Sequence, residues 1–187
     1  EINDGNIYRG SVWSFTTDLG VNVAKAPFAI ALPSSQIANS AYQVENVFDG
    51  DTDTFWMSNI NTFPNWVEIR WPQPISINTV VINEKAGNLS ASYRIDLFDV
   101  EANEWQTVVG PKTNPVPGQT ITEIFDATKA LKVRFYALTP YDGATQSGIS
   151  SMKVFGTGDW FEACNAELPP FIADPAVFPA VSDMANF

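Results

Sequence analysis

A series of short runs rich in valine, isoleucine and aromatic residues fills the middle of the chain and constrains its fold most strongly. Turn-forming segments such as PQP, KAGN and NPVPG separate these runs. In WVEIRW (66–71), apolar residues surround polar Glu68 and Arg70, a pattern close to the alternation of a half-buried strand. The runs are Trp66–Trp71, Ser76–Asn83, Ser92–Val100, Trp105–Val109, Thr120–Phe125, Ala130–Ala137 and Ser150–Gly156. Many short strands with this spacing predict an all-β sandwich.

The two ends of the chain differ in character from the middle. Residues 1–18 end in the strand-like run GSVWSFTTD, which resembles the last strand of a fibronectin type III-like domain. Residues 159–187 are rich in proline and contain no lysine or arginine, which favours a tail or a linker. We therefore expect a fragment of a longer protein, with one folded domain over residues 19–158 and short extensions at both ends.

Charge and composition exclude several function classes. The net charge of −11 argues against nucleic acid as a partner, because phosphate binding requires a basic patch. No apolar run approaches the roughly 20 residues of a membrane-spanning helix. The chain has no histidine, which is the commonest general base, and no nucleophile elbow or phosphate loop. We expect a protein without catalytic activity.

An acidic segment, NVFDGDTDTFW (46–56), contains Asp49, Asp51 and Asp53 together with a glycine and threonines. Hard oxygen ligands around a tight turn are typical of a calcium-binding loop. The alternative is an acidic turn without metal, closed by hydrogen bonds between side chains and backbone.

This loop and the strand runs together resemble the discoidin family, also called the coagulation-factor type C domain, over about residues 20–157. Family 32 carbohydrate-binding modules, which the chain resembles most in style, share the eight-stranded jelly-roll sandwich of that family. The segments that carry the resemblance are VNVAKAPFA, SSQIANSAYQVENVFDGDTDTFW, NWVEIRWPQPISINTVVI, YRIDLFDVEANEWQTV, ALKVRFYAL and SGISSMKVFG. The resemblance implies a discoidin-like fold of the same kind.

The resemblance also implies a structural calcium ion in the acidic loop. By position, Asn46 and Asp51 would give backbone carbonyls, Asp49 a carboxylate, and Thr54 both a carbonyl and a hydroxyl. Relatives often close this site with a glutamate of the last strand, in a pattern like ISEIEVYG. This chain has ISSMKVFG, so that Ser151 stands in place of the glutamate and Ser150 offers a carbonyl. A hydroxyl lacks the charge of a carboxylate, and we expect a weaker site.

Ligand binding is expected on loops at one end of the sandwich, where a rigid scaffold presents them. Neutral sugars stack on exposed aromatic rings, while planar polar groups bind their hydroxyls. The aromatic candidates in loops are Tyr42, Phe63 and Tyr141, and the polar candidates in INEKAGNLSASYR are Glu84, Lys85 and Asn88. The alternative for the polar residues is a solvated hairpin tip. The aromatic residues inside strands are expected in the core, namely Trp66, Trp71, Phe98, Trp105, Phe135 and Phe155.

These observations favour a non-catalytic carbohydrate-binding module of a larger extracellular, bacterial carbohydrate-active or surface protein. Its partners would be a polysaccharide and other domains of the same polypeptide. The first alternative is an adhesion or membrane-surface module, as in the clotting-factor branch of the family. Those relatives have a disulfide and basic residues, whereas this chain has one cysteine, Cys164, and an acidic central domain, which argues against lipid. The second alternative is a spacer without a ligand.

Overall fold

The computed structural model describes residues 20–26 and 28–157 of the chain. The strand expected near the N-terminus and the tail expected over 159–187 lie outside the described residues. Three short 3₁₀ helices are present in the described part, at Val23–Lys25, Ser40–Tyr42 and Val44–Val47.

The described residues form eight strands, and all their pairings are antiparallel. The strands are β1 Val21–Asn22, β2 Ile30–Pro33, β3 Trp56–Met57, β4 Asn65–Glu84, β5 Ser90–Asp99, β6 Glu104–Thr113, β7 Ile121–Pro140 and β8 Gly148–Thr157. The predicted all-β sandwich of eight strands is confirmed.

Strands β4 and β7 are long and bent, and each contributes to both layers of the sandwich. Up to Arg70, β4 pairs with β2 and with the second half of β7. From Ile75 onward it pairs with the first half of β7 and with β8. The first sheet is thus β2, β4, β7, β5 and β6, and the second is β7, β4, β8 and the short strands β1 and β3. The PQP segment, expected to be a turn between two strands, is instead a bend with a register shift inside β4.

The core lies between the inner faces of the two sheets. In the first half of β4 the residues Val67, Ile69 and Trp71 are buried, as period-two alternation requires. Trp56 and Phe135 add fully buried aromatic rings from other strands. Burying each such side chain contributes about 1.5–3 kcal/mol to stability.

The prediction that strand aromatics lie in the core is confirmed for Trp71 and Phe135 and is wrong for the four that are only partly buried, Trp66, Phe98, Trp105 and Phe155. Trp66, Phe98 and Trp105 share the outer face of the first sheet. The guanidinium carbon of Arg134 lies 4.2 Å from the ring centroids of both Trp66 and Trp105. Such cation–π contacts stabilise aromatic rings outside a core.

Beneath these rings Glu68 is fully buried on the same face of the first sheet. The Nε atom of Arg134 donates to its Oε2 at 2.7 Å, and Nη2 of Arg70 lies 2.7 Å from its Oε1. The buried carboxylate is therefore paired on both oxygens, which is the condition for tolerating a charge away from water.

The bend in β4 brings both of its ends to the same end of the sandwich. Asn65, at its start, pairs with Ala137, and Glu84, at its finish, pairs with Ile149 of β8. Among the segments at this end, the loops 58–64, 85–89 and 141–147 are joined to one another by backbone hydrogen bonds, and we call these three loops the loop end.

Candidate functional site

The three loops of the loop end are joined by backbone hydrogen bonds. The amide of Asn61 donates to the carbonyl of Thr145 at 2.7 Å, and the amide of Tyr141 donates to the carbonyl of Leu89 at 2.9 Å. Because each loop is fixed to another loop, the side chains on them have a defined arrangement, which reduces the entropy that binding would cost.

Gly148 allows the 85–89 loop to lie directly against β8. A Cβ atom at this position would lie 2.8 Å from Cβ of Lys85 and 3.1 Å from Cβ of Asn88. The amide of Lys85 donates to the carbonyl of Gly148, and the amide of Gly148 donates to the carbonyl of Asn88. Glycine is required here for close approach, and it places two of the predicted sugar-contacting residues side by side.

Tyr42 and Lys85 meet on the ring of Phe55. The rings of Tyr42 and Phe55 are stacked with centroids 4.8 Å apart, and Nζ of Lys85 lies 4.5 Å from the Phe55 centroid. Phe55 was not among the predicted site residues. Its position directly after the aspartate run was the available signal that it would lie between that loop and the loop end.

Glu84 is engaged by neighbouring residues on both carboxylate oxygens. Its Oε1 accepts from the amide of Ser90 at 2.9 Å and from the Ser90 hydroxyl at 2.7 Å. Its Oε2 accepts from Nδ2 of Asn114 at 3.3 Å. Burial raises the pKa of Glu84 above its usual value, and the hydrogen bonds from Ser90 oppose this effect in part. These contacts favour a role in holding the loops rather than in direct contact with a ligand.

The other predicted residues differ in exposure. Tyr141 is 43% exposed, and its side chain has no hydrogen bond within the described residues. Asn88 is half-buried, and its amide group likewise has no partner there. Phe63 is half-buried and packs against the core. The fold thus brings the predicted residues to one end of the sandwich, and their contact with a sugar stays a prediction.

The acidic loop is closed by its own side chains. Oδ1 of Asp49 accepts from the amide of Asp51 at 2.8 Å, and Oδ1 of Asp51 accepts from the amide of Asp53 at 2.9 Å. Nδ2 of Asn46 donates to the carbonyls of Ala41 and Phe55, which joins the start of the loop to its finish. This arrangement agrees with the metal-free alternative and is also compatible with a bound ion.

The donor set fits calcium from the loop side. The Thr54 hydroxyl lies 2.7 Å from Oδ2 of Asp49, to which it donates, and 3.2 Å from the carbonyl oxygen of Asp51. Three hard oxygens therefore converge, which is the chemistry that Ca²⁺ prefers. Within the described residues no group of three or more histidine, cysteine, aspartate or glutamate side chains is placed to hold a metal. Any calcium site here would thus depend mainly on carbonyl and hydroxyl oxygens.

The strand side of the acidic loop contributes less negative charge. Ser151 lines a cavity of about 120 Å³ beside Asp51, and the ammonium-bearing side chains of Lys25 and Lys153 line the same cavity. The Ser150 hydroxyl donates to the carbonyl of Asn83 at 3.1 Å. Two nearby cations lower the affinity for a divalent ion, so the residues fit a weak calcium site.

The sequence of this chain is similar to that of a known domain family. The sequence matches the family model of the F5/8 type C domain over residues 31–152. No curated protein shows significant similarity to the chain. No helix in the described part of the chain is long and apolar enough to cross a membrane.

Solved structures of carbohydrate-binding modules have the same fold. A chitosan-binding module from a chitosanase/glucanase of Paenibacillus sp. IK-5, in complex with chitotriose, is 25% identical with a TM-score of 0.61, and the match covers 74% of this chain and 100% of that chain. A Clostridium perfringens module in complex with GalNAc-β-1,3-galactose is 18% identical with a TM-score of 0.58, covering 68% and 94%. A family 32 module of the same species, in complex with galactose, is 16% identical with a TM-score of 0.57, covering 67% and 92%.

Proposed function

The chain belongs to the F5/8 type C domain family, and on this premise we propose that it is a non-catalytic carbohydrate-binding module whose glycan binds at the loop end. The observation that carries the proposal is the set of fixed loops bearing an exposed aromatic ring and unpaired polar groups. The similar structures that hold chitotriose, GalNAc-β-1,3-galactose and galactose support the same class of ligand.

Each residue of the loop end has a proposed role. The exposed ring of Tyr141 stacks on the apolar face of a sugar ring, and Tyr42 extends the aromatic surface through Phe55. Lys85 and Asn88 donate to sugar hydroxyls, since neither side chain has a hydrogen-bond partner in the described part of the chain. Glu84 and Phe63 hold the loops in place.

A structural calcium ion is part of the proposal. Oxygen atoms of the acidic loop would coordinate the ion, and the ion would neutralise part of their negative charge. This would hold the loop closed and keep Phe55 against Lys85. The residues that would hold it are Asn46, Asp49, Asp51, Thr54, Ser150 and Ser151.

The absence of catalysis is supported by how the carboxylates are used. Both oxygens of Glu68 are paired with arginines, and both oxygens of Glu84 accept hydrogen bonds from neighbours. The oxygens of both carboxylates thus already accept from protein donors, which favours a structural role over general acid or base chemistry. The module would then serve a larger bacterial protein outside the cell, by holding it near a polysaccharide and raising the effective substrate concentration.

Titration calorimetry tests this function with galactose, N-acetylgalactosamine, chitotriose, and plant and algal polysaccharides as probes. Tyr141→Ala should weaken binding by roughly tenfold or more, as truncation of a stacked aromatic contact does. Phe28→Ala is the matched control, because Phe28 is 57% exposed and precedes β2 at the opposite end of the sandwich. Binding to anionic phospholipid vesicles with no affinity for any of these glycans would show that the proposed function is wrong.

A further inference from the structure

A polar cleft opens on the side of the sandwich, between the edges of the two sheets. Strand β6 is the edge of the first sheet, and the first half of β7 is the edge of the second. The loop 114–120 connects these two edges and forms one wall of a cavity of about 200 Å³. Sequence reasoning did not single out any residue of this cleft.

Three side chains from three strands meet at the base of the cleft. Oε1 of Glu123, on β7, accepts from the hydroxyl of Tyr93, on β5, and from Nζ of Lys112, on β6, at 2.5 Å. Tyr93 is 2% exposed and Glu123 is 9% exposed, so the carboxylate bridges the two sheets from a nearly buried position.

The pKa shifts of Tyr93 and Lys112 keep both side chains protonated at neutral pH. Burial, together with the hydrogen bond to Glu123, raises the pKa of Tyr93 to about 12, so its hydroxyl stays protonated and continues to donate. The hydrogen bond to Glu123 also raises the pKa of Lys112, which therefore stays cationic. The cleft presents a carboxylate and an ammonium group side by side.

The group has unused hydrogen-bonding capacity. Oε2 of Glu123 accepts no hydrogen bond within the described residues, although Oε1 accepts two. The side chain of Lys112 is 46% exposed, and its ammonium carries three donors of which Glu123 takes one. Oε2 is not among the buried polar atoms without a partner in the described part of the chain, which are Asn78 Oδ1 and Arg94 Nε, so it is open to the cleft and can accept from a ligand or water.

The remaining lining and the size of the cleft define the class of ligand. Pro115, Val116 and Ile121 add apolar lining to the same cleft, and Val116 is 48% exposed. The volume lies below the roughly 300–1,000 Å³ of clefts that take drug-sized ligands, so one sugar ring is the appropriate size. A vicinal diol suits the polar side, since one hydroxyl can donate to Glu123 while its neighbour accepts from Lys112.

The cleft is structurally connected to the loop end. Asn114 lines the cleft, and its Nδ2 donates to the carbonyl of Ser90 at 3.1 Å as well as to Glu84. The hydroxyl of Thr120, on the same wall, donates to Oδ1 of Asn83 at 2.7 Å. An oligosaccharide could therefore extend from the loop end across this wall.

We propose that this cleft is a second sugar subsite, which binds the vicinal diol of a single pyranose ring between Glu123 and Lys112. The proposal rests on the proposed function, because it adds a subsite to the same glycan-binding surface. It goes beyond that function by assigning recognition to the side of the sandwich as well as to its end.

Nuclear magnetic resonance titration of the full chain separates the two sites. The probes are chitotriose and methyl β-galactopyranoside, with the 3-deoxy derivative of the galactoside as a matched probe that has no vicinal ring diol. We expect both parent sugars to shift backbone amides within 112–123, and the 3-deoxy sugar to leave those amides unmoved. Shifts at residues 141–147, which have no hydrogen bond to residues 112–123 in the described part of the chain, report the loop end independently.

Variants then identify the chemistry. Lys112→Met should raise the sugar Kd measured from the cleft amides by roughly tenfold or more, as loss of a charge-assisted hydrogen bond does. The Kd measured from the loop-end amides should stay unchanged. Lys129→Met is the matched control, since Lys129 is exposed on β7 away from the cavity. Glu123→Gln, which preserves shape, gives the same readout if Lys112→Met is poorly folded.

The outcomes of the titration distinguish failure of the subsite from failure of the proposed function. Loop-end shifts without cleft shifts would overturn the subsite and leave the proposed function intact. If no sugar shifts either set of amides, both proposals fail. Cleft shifts that persist unchanged in both Lys112→Met and Glu123→Gln would also overturn the assignment.

Discussion

Replacing Glu84 with alanine should destabilise the fold, although the sequence suggested a residue that contacts sugar. Glu84 lies where β4 ends, and its carboxylate accepts three hydrogen bonds from two residues. Ser90 is fully buried and Asn114 is 6% exposed, so water cannot easily replace the lost acceptor. The alanine variant therefore leaves buried donors without partners.

The size of the effect follows from these contacts. An unsatisfied buried donor costs about 1–3 kcal/mol, and the amide and hydroxyl of Ser90 would both lose their acceptor. Removing a partly desolvated carboxylate returns some of this free energy, because burial disfavours its charged form. We expect a net loss of about 2 kcal/mol in the free energy of unfolding, or about 4–8 °C in Tm for a domain of this size.

Urea denaturation followed by tryptophan fluorescence measures this loss through the midpoint at constant m-value. Glu84→Gln should lose less than half as much, because the side-chain carbonyl still accepts from Ser90. Glu101→Ala is the control, since Glu101 is exposed and its carboxylate has no hydrogen bond in the described part of the chain, so we expect a change within about 0.5 kcal/mol. An unchanged midpoint for Glu84→Ala, together with a large loss of sugar affinity, would refute this reasoning and make Glu84 a direct contact.

Three further outcomes follow from the contacts described above. If calcium binds with a Kd near 0.1 mM, 10 mM calcium should stabilise the chain by about 2.7 kcal/mol over a chelator, and Asp49→Asn should abolish most of that difference in a thermal melt. Arg134→Met should lower the free energy of unfolding, measured in urea, by about 3–5 kcal/mol, because Glu68 loses a partner while it remains buried. Lys132→Met removes only contacts with aromatic rings and should lower it by about 1 kcal/mol. The pKa of Glu84 is raised in the folded state, so the contribution of its protonation to stability is complete below pH 4.5 and is lost as pH rises through the folded pKa. Glu84→Gln should therefore flatten the pH profile of the urea midpoint above pH 4.5.

The sequence was sufficient to predict the layers of the sandwich but not the path of its long strands. Apolar alternation around Glu68 and Arg70 identifies a strand with one buried face. Pro72 and Pro74, which follow, indicate that the regular strand is interrupted. Proline is equally suited to a turn between two strands and to a bend within one strand, so the sequence does not distinguish them. Only the pairing of both halves of β4 with β7 shows that the strand continues from one sheet to the other.

The placement of Trp66 and Trp105 shows a second limit. A large aromatic residue in a strand is usually buried, and this tendency was followed although period-two alternation with buried Val67 and Ile69 places Trp66 on the outer face. On that face the guanidinium of Arg134, distant in sequence from both Trp66 and Trp105, lies against both rings. A long-range contact of this kind leaves no local signal.

The sequence predicted that the candidate residues lie in loops, and their contact with a sugar stays a prediction. The structure joins the loops 58–64, 85–89 and 141–147 at one end, because loop order follows from the fold. The role of each residue depends on partners such as Asn114 and Ser90, which the loop conformations bring to Glu84. The cleft could not be found from sequence, because Tyr93, Lys112 and Glu123 come from three strands whose register is set by the whole sandwich.

The two carboxylates Glu84 and Glu123 show how the structure separates residues that hold a site from residues that can bind a ligand. Both are partly or largely buried and both accept several hydrogen bonds. Glu84 uses both oxygens on neighbouring residues, so a sugar hydroxyl could bind only by displacing one of them. Glu123 uses a single oxygen, and the other remains in a cavity of suitable size beside a cation. Because the open oxygen of Glu123 can accept from a sugar hydroxyl without displacing a protein donor, the free energy of sugar binding should depend more on Glu123 than on Glu84.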